Sequence, residues 1–252
     1  MDKALYIAMT GGKHIARAQT VHSNNMANAN TLGFKADFAQ ARAQAVYYGD
    51  GLPTRVYAQA ENPGTDLAHG GLIETGNELD IAIDGEGWIA VQGADGQEAY
   101  TRAGRLRIDA FGQLQTADGR NVLGDAGPLT IPPYEKVEIG SDGTITVRAQ
   151  GEQPNALAEL GRIKLVRLDG LPVTKGADGL IRVASVNGEV PAPVPADAAV
   201  RLQTGMVETS NVNVVDEFTQ IISLARQFEM HMKMMKTVEE NSASASQLLR
   251  LS

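Results

Sequence analysis

The places from which proline and glycine are missing constrain this chain more than any single motif does. All ten prolines fall between Pro53 and Pro195. Of 27 glycines, only Gly11, Gly12 and Gly33 precede Gly49, and none follows Gly205. These two residues disfavour a helix interior by about 3 and 1 kcal/mol relative to alanine. With 252 residues and its breakers confined to the middle, the chain is predicted to run helix, β-rich body, helix.

The C-terminal end is predicted as one long helix. Phe218, Ile221, Ala225, Phe228, Met232, Met235, Ser242, Ala245 and Leu249 recur at steps of three and four, with one break near Val238. So narrow a stripe is a coiled-coil seam, not the broad face of a helix lying on a domain. Asn211 or Asn213 can cap its start, and Asp216 and Glu217 suit the positive end of the helix dipole. To Leu251 this is roughly 38 residues, or about 57 Å at ~1.5 Å per residue. At the other end Leu5, Ala8, Gly12, Ile15, Gln19, His22 and Met26 repeat the spacing with a smaller, partly polar seam. Alone that helix is marginal in water. It is expected to pair with the C-terminal helix, of the same chain or of a neighbour.

The middle is dense in turns. Asp-Gly occurs seven times, at 50–51, 84–85, 95–96, 118–119, 142–143, 169–170 and 178–179, and Asn187-Gly188 adds a relative. Such dipeptides between alternating apolar residues are strong hairpin signals. The runs 79–83, 88–91, 163–166 and 180–183 read as strands between them. The fold class is mainly β with α-helical ends: an antiparallel body, sandwich or distorted barrel, over 79–189, inserted between coiled-coil-type helices over 1–30 and 211–252. Residues 31–78 and 190–210 read as extended connections, and 190–195 (Val-Pro-Ala-Pro-Val-Pro) as a strap leading out of the body.

Composition removes several function classes. A net charge of -8 lacks the basic footprint of a nucleic-acid binder. With no cysteine there is no disulfide framework, thiolate metal site or cysteine nucleophile. No apolar run approaches a membrane span, and the start lacks the pattern of a secretory signal, so any export is expected to use another route. Gly85-Glu86-Gly87 opens like a dinucleotide fingerprint but lacks the third glycine and precedes a strand. His14, His22, His69 and His231 are scattered. Glu239 and Glu240 face different sides of a helix. Met230, Met232, Met234 and Met235 read as filler of an adaptable helix seam. No catalytic residue, metal site, cofactor or small-molecule substrate is expected. Two long helical ends that their own body cannot bury are explained if the chain polymerises.

One segment is highly specific. Residues 23–35, Ser-Asn-Asn-Met-Ala-Asn-Ala-Asn-Thr-Leu-Gly-Phe-Lys, make a helix stop: asparagine tolerates left-handed backbone, Gly33 permits positive φ, and Phe34 can anchor the turned chain in an apolar pocket. Lys35 reads as a surface residue. The segment resembles the signature of the bacterial flagellar axial proteins of rod and hook. It matches the pattern at Ser23, Asn25, Ala27, Asn28, Asn30, Thr31, Gly33, Phe34 and Lys35. Residues 79–88 and 100–104 resemble the start of the family's β domain, and 205–213 the entry to its C-terminal helix. The opening residues 1–9, the run 226–230 and Glu239-Glu240-Asn241 are most similar to the family's proximal-rod members.

The resemblance implies a structural subunit of the periplasmic drive shaft in the flagellar basal body. It implies assembly with itself and with other rod proteins, after transit through the flagellar type III export apparatus. Interface residues are then expected along the seams: Leu5, Ala8, Ile15, Met26, Phe218, Ile221, Ala225, Phe228, Met232, Met235 and Leu249. Another axial role, such as distal rod, is one alternative. The other is a periplasmic β-domain module binding polysaccharide, which would need exposed aromatics near a cleft. Trp88, the only tryptophan, sits in an apolar strand and reads as core.

Overall fold

A computed structural model describes residues 4–46, 55–60, 64–151, 157–185 and 191–250. The expected turns Asp50-Gly51 and Asn187-Gly188, the first residue of the strap and residues 1–3 lie outside them. The chain divides into two compact units. One gathers Met1–Ala29, Ala36–Asp66 and Val212–Ser252; the other gathers Asn30–Lys35 and Leu67–Asn211.

The first unit is helical with two strand pairs. Helix α1 spans Ala4–Ala27 and α2 spans Val214–Arg250, 24 and 37 residues, and the two pack together. Asn213 is the cap of α2: its Oδ1 accepts from Val215 N at 3.1 Å and its carbonyl accepts from Glu217 N at 3.0 Å. The strands Ala41–Val46 and Arg55–Ala60 pair antiparallel, as do Asp37–Phe38 and Gly64–Thr65. Residues 31–78 and 190–210, read as extended connections, thus carry paired strands, for Leu72–Glu74 and Met206–Glu208 also pair with each other.

The second unit is antiparallel β. Its largest sheet has the order Leu165–Val166, Trp88–Gln92, Glu98–Thr101, Ile181–Val183, Val173–Lys175. Tyr134–Ile139, Thr144–Ala149 and Ala158–Arg162 form a second sheet. The sheets stay open, so there is no closed barrel among the described residues. Trp88-Ile89-Ala90-Val91 is apolar throughout because the strand is buried on both faces. Ile89 and Val91 join a core with Ile81, Leu114 and Ile145, while Trp88 and Ala90 join one with Tyr100, Val166 and Val194. Val194 brings the proline strap onto that second core, its amide donating to the Tyr100 hydroxyl at 3.1 Å. Every described Asp-Gly glycine has φ between 75 and 89°, which fits the hairpin turns expected there. Asp142 and Asp178 cap the amides of Thr144 and Leu180.

Candidate functional site: a buried junction and an unburied helix face

The signature segment folds as a helix stop. Helix α1 ends at Ala27. Asn28 Nδ2 closes it on the Asn24 carbonyl at 2.9 Å, and Phe34 N then donates to the Thr31 carbonyl at 3.3 Å. Ser23, Ala27, Asn30 and Thr31 are exposed. Within the first unit Asn25 is only 1% exposed and its amide is saturated. Its Nδ2 donates to the Asp37 carbonyl (2.9 Å) and to Glu217 Oε1 (3.0 Å), and its Oδ1 accepts from Asp37 N (3.0 Å). Glu217 also holds His22 Nδ1 at 2.5 Å. One asparagine therefore ties the end of α1 to the chain that returns after the turn and to the first turn of α2. Glu217, the partner, was legible only as a helix-dipole residue.

Within the second unit the turn is fixed by its backbone. Gly33 sits at φ 65°, and its amide donates to the Glu208 carbonyl at 2.8 Å. A Cβ there would collide with the Arg102 and Ala103 backbone. Phe34 is half-buried. Its ring lies under the Lys175 ammonium at 3.7 Å, which also donates to the Lys35 carbonyl at 2.6 Å.

Lys35 overturns the surface reading. It is 2% exposed, as is Arg102, and Glu208 is 1% exposed. The three form a buried cluster. Lys35 Nζ donates to Glu208 Oε1 at 2.6 Å and to the Ala68 carbonyl at 2.7 Å. Arg102 donates to Glu208 Oε2 at 2.9 Å and to the Gly85 carbonyl at 2.8 Å. Gly70 N also donates to Glu208 Oε1 at 3.0 Å. Two cations share one carboxylate, and two peptide carbonyls and the Trp88 ring, 5.3 Å from Arg102 and 5.8 Å from Lys35, help disperse their charge. Burial pushes the Glu208 carboxyl up, but donation from Lys35 and Gly70 and the charges of Arg102 and Lys35 outweigh it and hold the group below its ordinary value. Each charge comes from a block quoted for its family resemblance (23–35, 100–104 and 205–213). The sequence signal for the cluster is one charge in each of these three separated blocks.

The helix pair is shallow. Ala8, Gly12, Ile15 and Ala18 make a buried stripe along α1, whereas no described side chain of α2 is fully buried. Of the seam residues, Ile221, Ala225 and Met235 are half-buried, and Leu224, His231 and Val238 share that side. The His231 ring packs on Gly11, where a Cβ would come within 2.5 Å of Cε1. Leu5 and Met26 are 36% exposed, Phe218 54%, Phe228 38% and Met232 49%. Leu249 lies in the last turn of α2, its side chain outside the described residues. No described helix is long and apolar enough to cross a membrane. Among the described residues no group of three acids or histidines could hold a metal.

Three family models match the chain. Residues 5–35 match the flagella basal body rod protein family, 82–147 the flagellar hook protein FlgE/F/G D1 domain, and 203–248 the flagellar basal body rod FlgEFG protein C-terminal family. The chain is 41% identical over 253 residues to the flagellar basal-body rod protein FlgF of Escherichia coli (strain K12), covering 100% of both chains. It is 42% identical to FlgF of Salmonella typhimurium with the same coverage. It is 33% identical to the flagellar basal-body rod protein FlgG of Bacillus subtilis, over 95% of this chain and 96% of that one.

Proposed function

This chain belongs to the flagellar basal-body rod protein family, and from that premise we propose how it assembles. It is a structural subunit of the basal-body rod. In our reading it is a proximal-rod subunit, built helically with copies of itself and other rod proteins into the periplasmic drive shaft that transmits torque. Its α1–α2 pair forms the inner axial layer as a coiled-coil-like seam, the β unit serves as the body, and the chain reaches its place through the flagellar type III exporter. The proximal assignment is supported by FlgF of Escherichia coli and of Salmonella typhimurium, 41% and 42% identical, against 33% for FlgG of Bacillus subtilis.

The observation that carries this reading is α2 itself. It has 37 residues, about 56 Å at ~1.5 Å per residue, and none of its described side chains is fully buried. Phe218, Phe228, Met230, Met232 and Met234 all stand exposed. Ordering that backbone costs roughly 1–2 kcal/mol per residue, which shallow packing on one partner helix does not offset. Neighbouring subunits supply the missing burial, and methionine suits a seam shared with several partners.

The test is location. Gold labelling of an epitope-tagged chain in isolated basal bodies should mark the rod next to the export gate. Label confined to the hook-proximal end would favour a distal role, and no label on the rod would refute assembly there.

A further inference from the structure

The strands Leu106–Ile108 and Leu114–Thr116 form a hairpin whose turn presents Phe111, 85% exposed and the most exposed large apolar side chain described. The turn is held, not loose. Asp109 Oδ1 accepts from Phe111 N at 2.9 Å and from Gln113 N at 2.7 Å. Gly112 sits at φ 81°, where its amide donates to the Asp109 carbonyl at 3.1 Å. A ring presented on a fixed turn has already met much of the ordering cost of an interface anchor. On the outward side of the same arm, two residues apart, stand Arg105 and Arg107, both exposed. Arg107 has no ion-pair partner among the described residues, and the Arg105 guanidinium, 3.9 Å from Asp80, stays 53% exposed. This basic arm belongs to a chain of net charge -8.

The same unit carries a feature of complementary character. A cleft of about 430 Å³ is lined by Glu74, Glu78 and Glu138 with Ile139, Thr204 and Met206. Leu72 and Ile73 stand 47% and 53% exposed on the strand beside it. Glu74 makes no ion pair among the described residues, while Lys136, 2.6 Å from Glu138, also feels the Glu78 charge, so one cation answers two of the three carboxylates. Three carboxylates around Ile139 and Met206 suit an aromatic that is followed along its arm by an arginine.

We propose that Phe111 of one copy of this chain, with Arg107 behind it on the same arm, docks into the Glu74–Glu78–Glu138 cleft of a second copy. Knob and cleft share no residue, so each copy can give and receive at once. The contact is heterologous and propagates around or along an assembly, while opposite charges set its register. The proposal rests on the reading of the chain as a rod subunit.

The cysteine-free chain makes the test clean. Ala110→Cys beside Phe111 and Thr204→Cys in the cleft, combined in one chain, should give covalent dimers and longer ladders when isolated basal bodies are mildly oxidised. Either single substitution should give none. Adding Arg107→Glu should cut the ladder about tenfold or more, and Glu78→Arg should restore it. Incorporated chain without a ladder, or a ladder indifferent to Arg107→Glu, overturns the proposal and leaves the rod reading standing. If the double-cysteine chain does not assemble, rod recovery from the charge variants decides: loss with Arg107→Glu must be reversed by Glu78→Arg, and failure of that rescue overturns the contact. Absence of the unmodified chain from basal bodies would instead remove the rod reading, and this proposal with it.

Discussion

Glu208→Ala should be the most damaging single truncation in the buried cluster, and more damaging than Lys35→Met. The two remove opposite sides of one ion pair, but they leave different things behind. Without Glu208, Lys35 and Arg102 remain 2% exposed and lose the carboxylate they share, while keeping their bonds to the Ala68 and Gly85 carbonyls. The Gly70 amide also loses its partner. Breaking a buried pair in this way costs about 3–5 kcal/mol, against a domain stability of about 5–15 kcal/mol. Lys35→Met leaves Arg102 and Glu208 as a balanced pair, with Met filling the space of the lysine stem, so about 1–3 kcal/mol is expected from lost charged hydrogen bonds. Trp88 is the only tryptophan and lies 5.3 Å from Arg102, so its fluorescence during urea unfolding of the full chain reports on this unit. Glu208→Ala should lower the midpoint with an unchanged m-value, and lower the melting temperature by on the order of 10 °C. A loss below about 1 kcal/mol, or Lys35→Met as costly as Glu208→Ala, would refute the charge-balance argument.

Three further outcomes follow from the same geometry. The folded-state depression of the Glu208 carboxyl means that its contribution is present above the unfolded value near 4.5 and is lost as pH falls through the lower folded value. Trp88-detected stability should therefore decline below about pH 4.5, and a Glu208→Gln chain with an undiminished slope there would contradict this. Gly33→Val should unfold or misdock the 30–35 turn, since it adds a β-branched side chain at φ 65° against backbone atoms; motility and export equal to the unmodified chain would refute it. Asn25→Asp sets a second carboxylate where the amide donated to Glu217 at 3.0 Å and removes the donor to the Asp37 carbonyl. Far-UV circular dichroism should show earlier helix melting, by about 2–5 kcal/mol, and an unshifted melt would remove Asn25 from its proposed role.

The coarse architecture was readable because it depends on local chemistry. Breakers delimit helices, Asp-Gly makes hairpins, and an Asn-rich segment ending in Gly33 stops α1. The strand 88–91 was legible as apolar, but its service to two cores was not, since periodicity vanishes when both faces are buried. The cluster stayed hidden because it joins residues 35, 102 and 208, separated by 67 to 173 positions, and a lysine after a turn is ordinarily a surface residue. The seam of α2 was legible as spacing. Which of its residues face α1 and which stay open was not, because a narrow stripe does not say how far around the helix the partner reaches.

The most direct test of assembly through the open helix face is Phe228→Asp, read by two measurements on the same variant. Phe228 is 38% exposed in the first unit, so the β unit does not depend on it. In a rod, burying the ring contributes roughly 1.5–3 kcal/mol, and an unpaired carboxylate in its place costs several kcal/mol more, repeated at every subunit. The expected result is an exported chain whose Trp88-detected melting is unchanged and from which no rods are recovered. Normal rods, or a β unit that melts many degrees lower, would show that this face is not where the subunits meet.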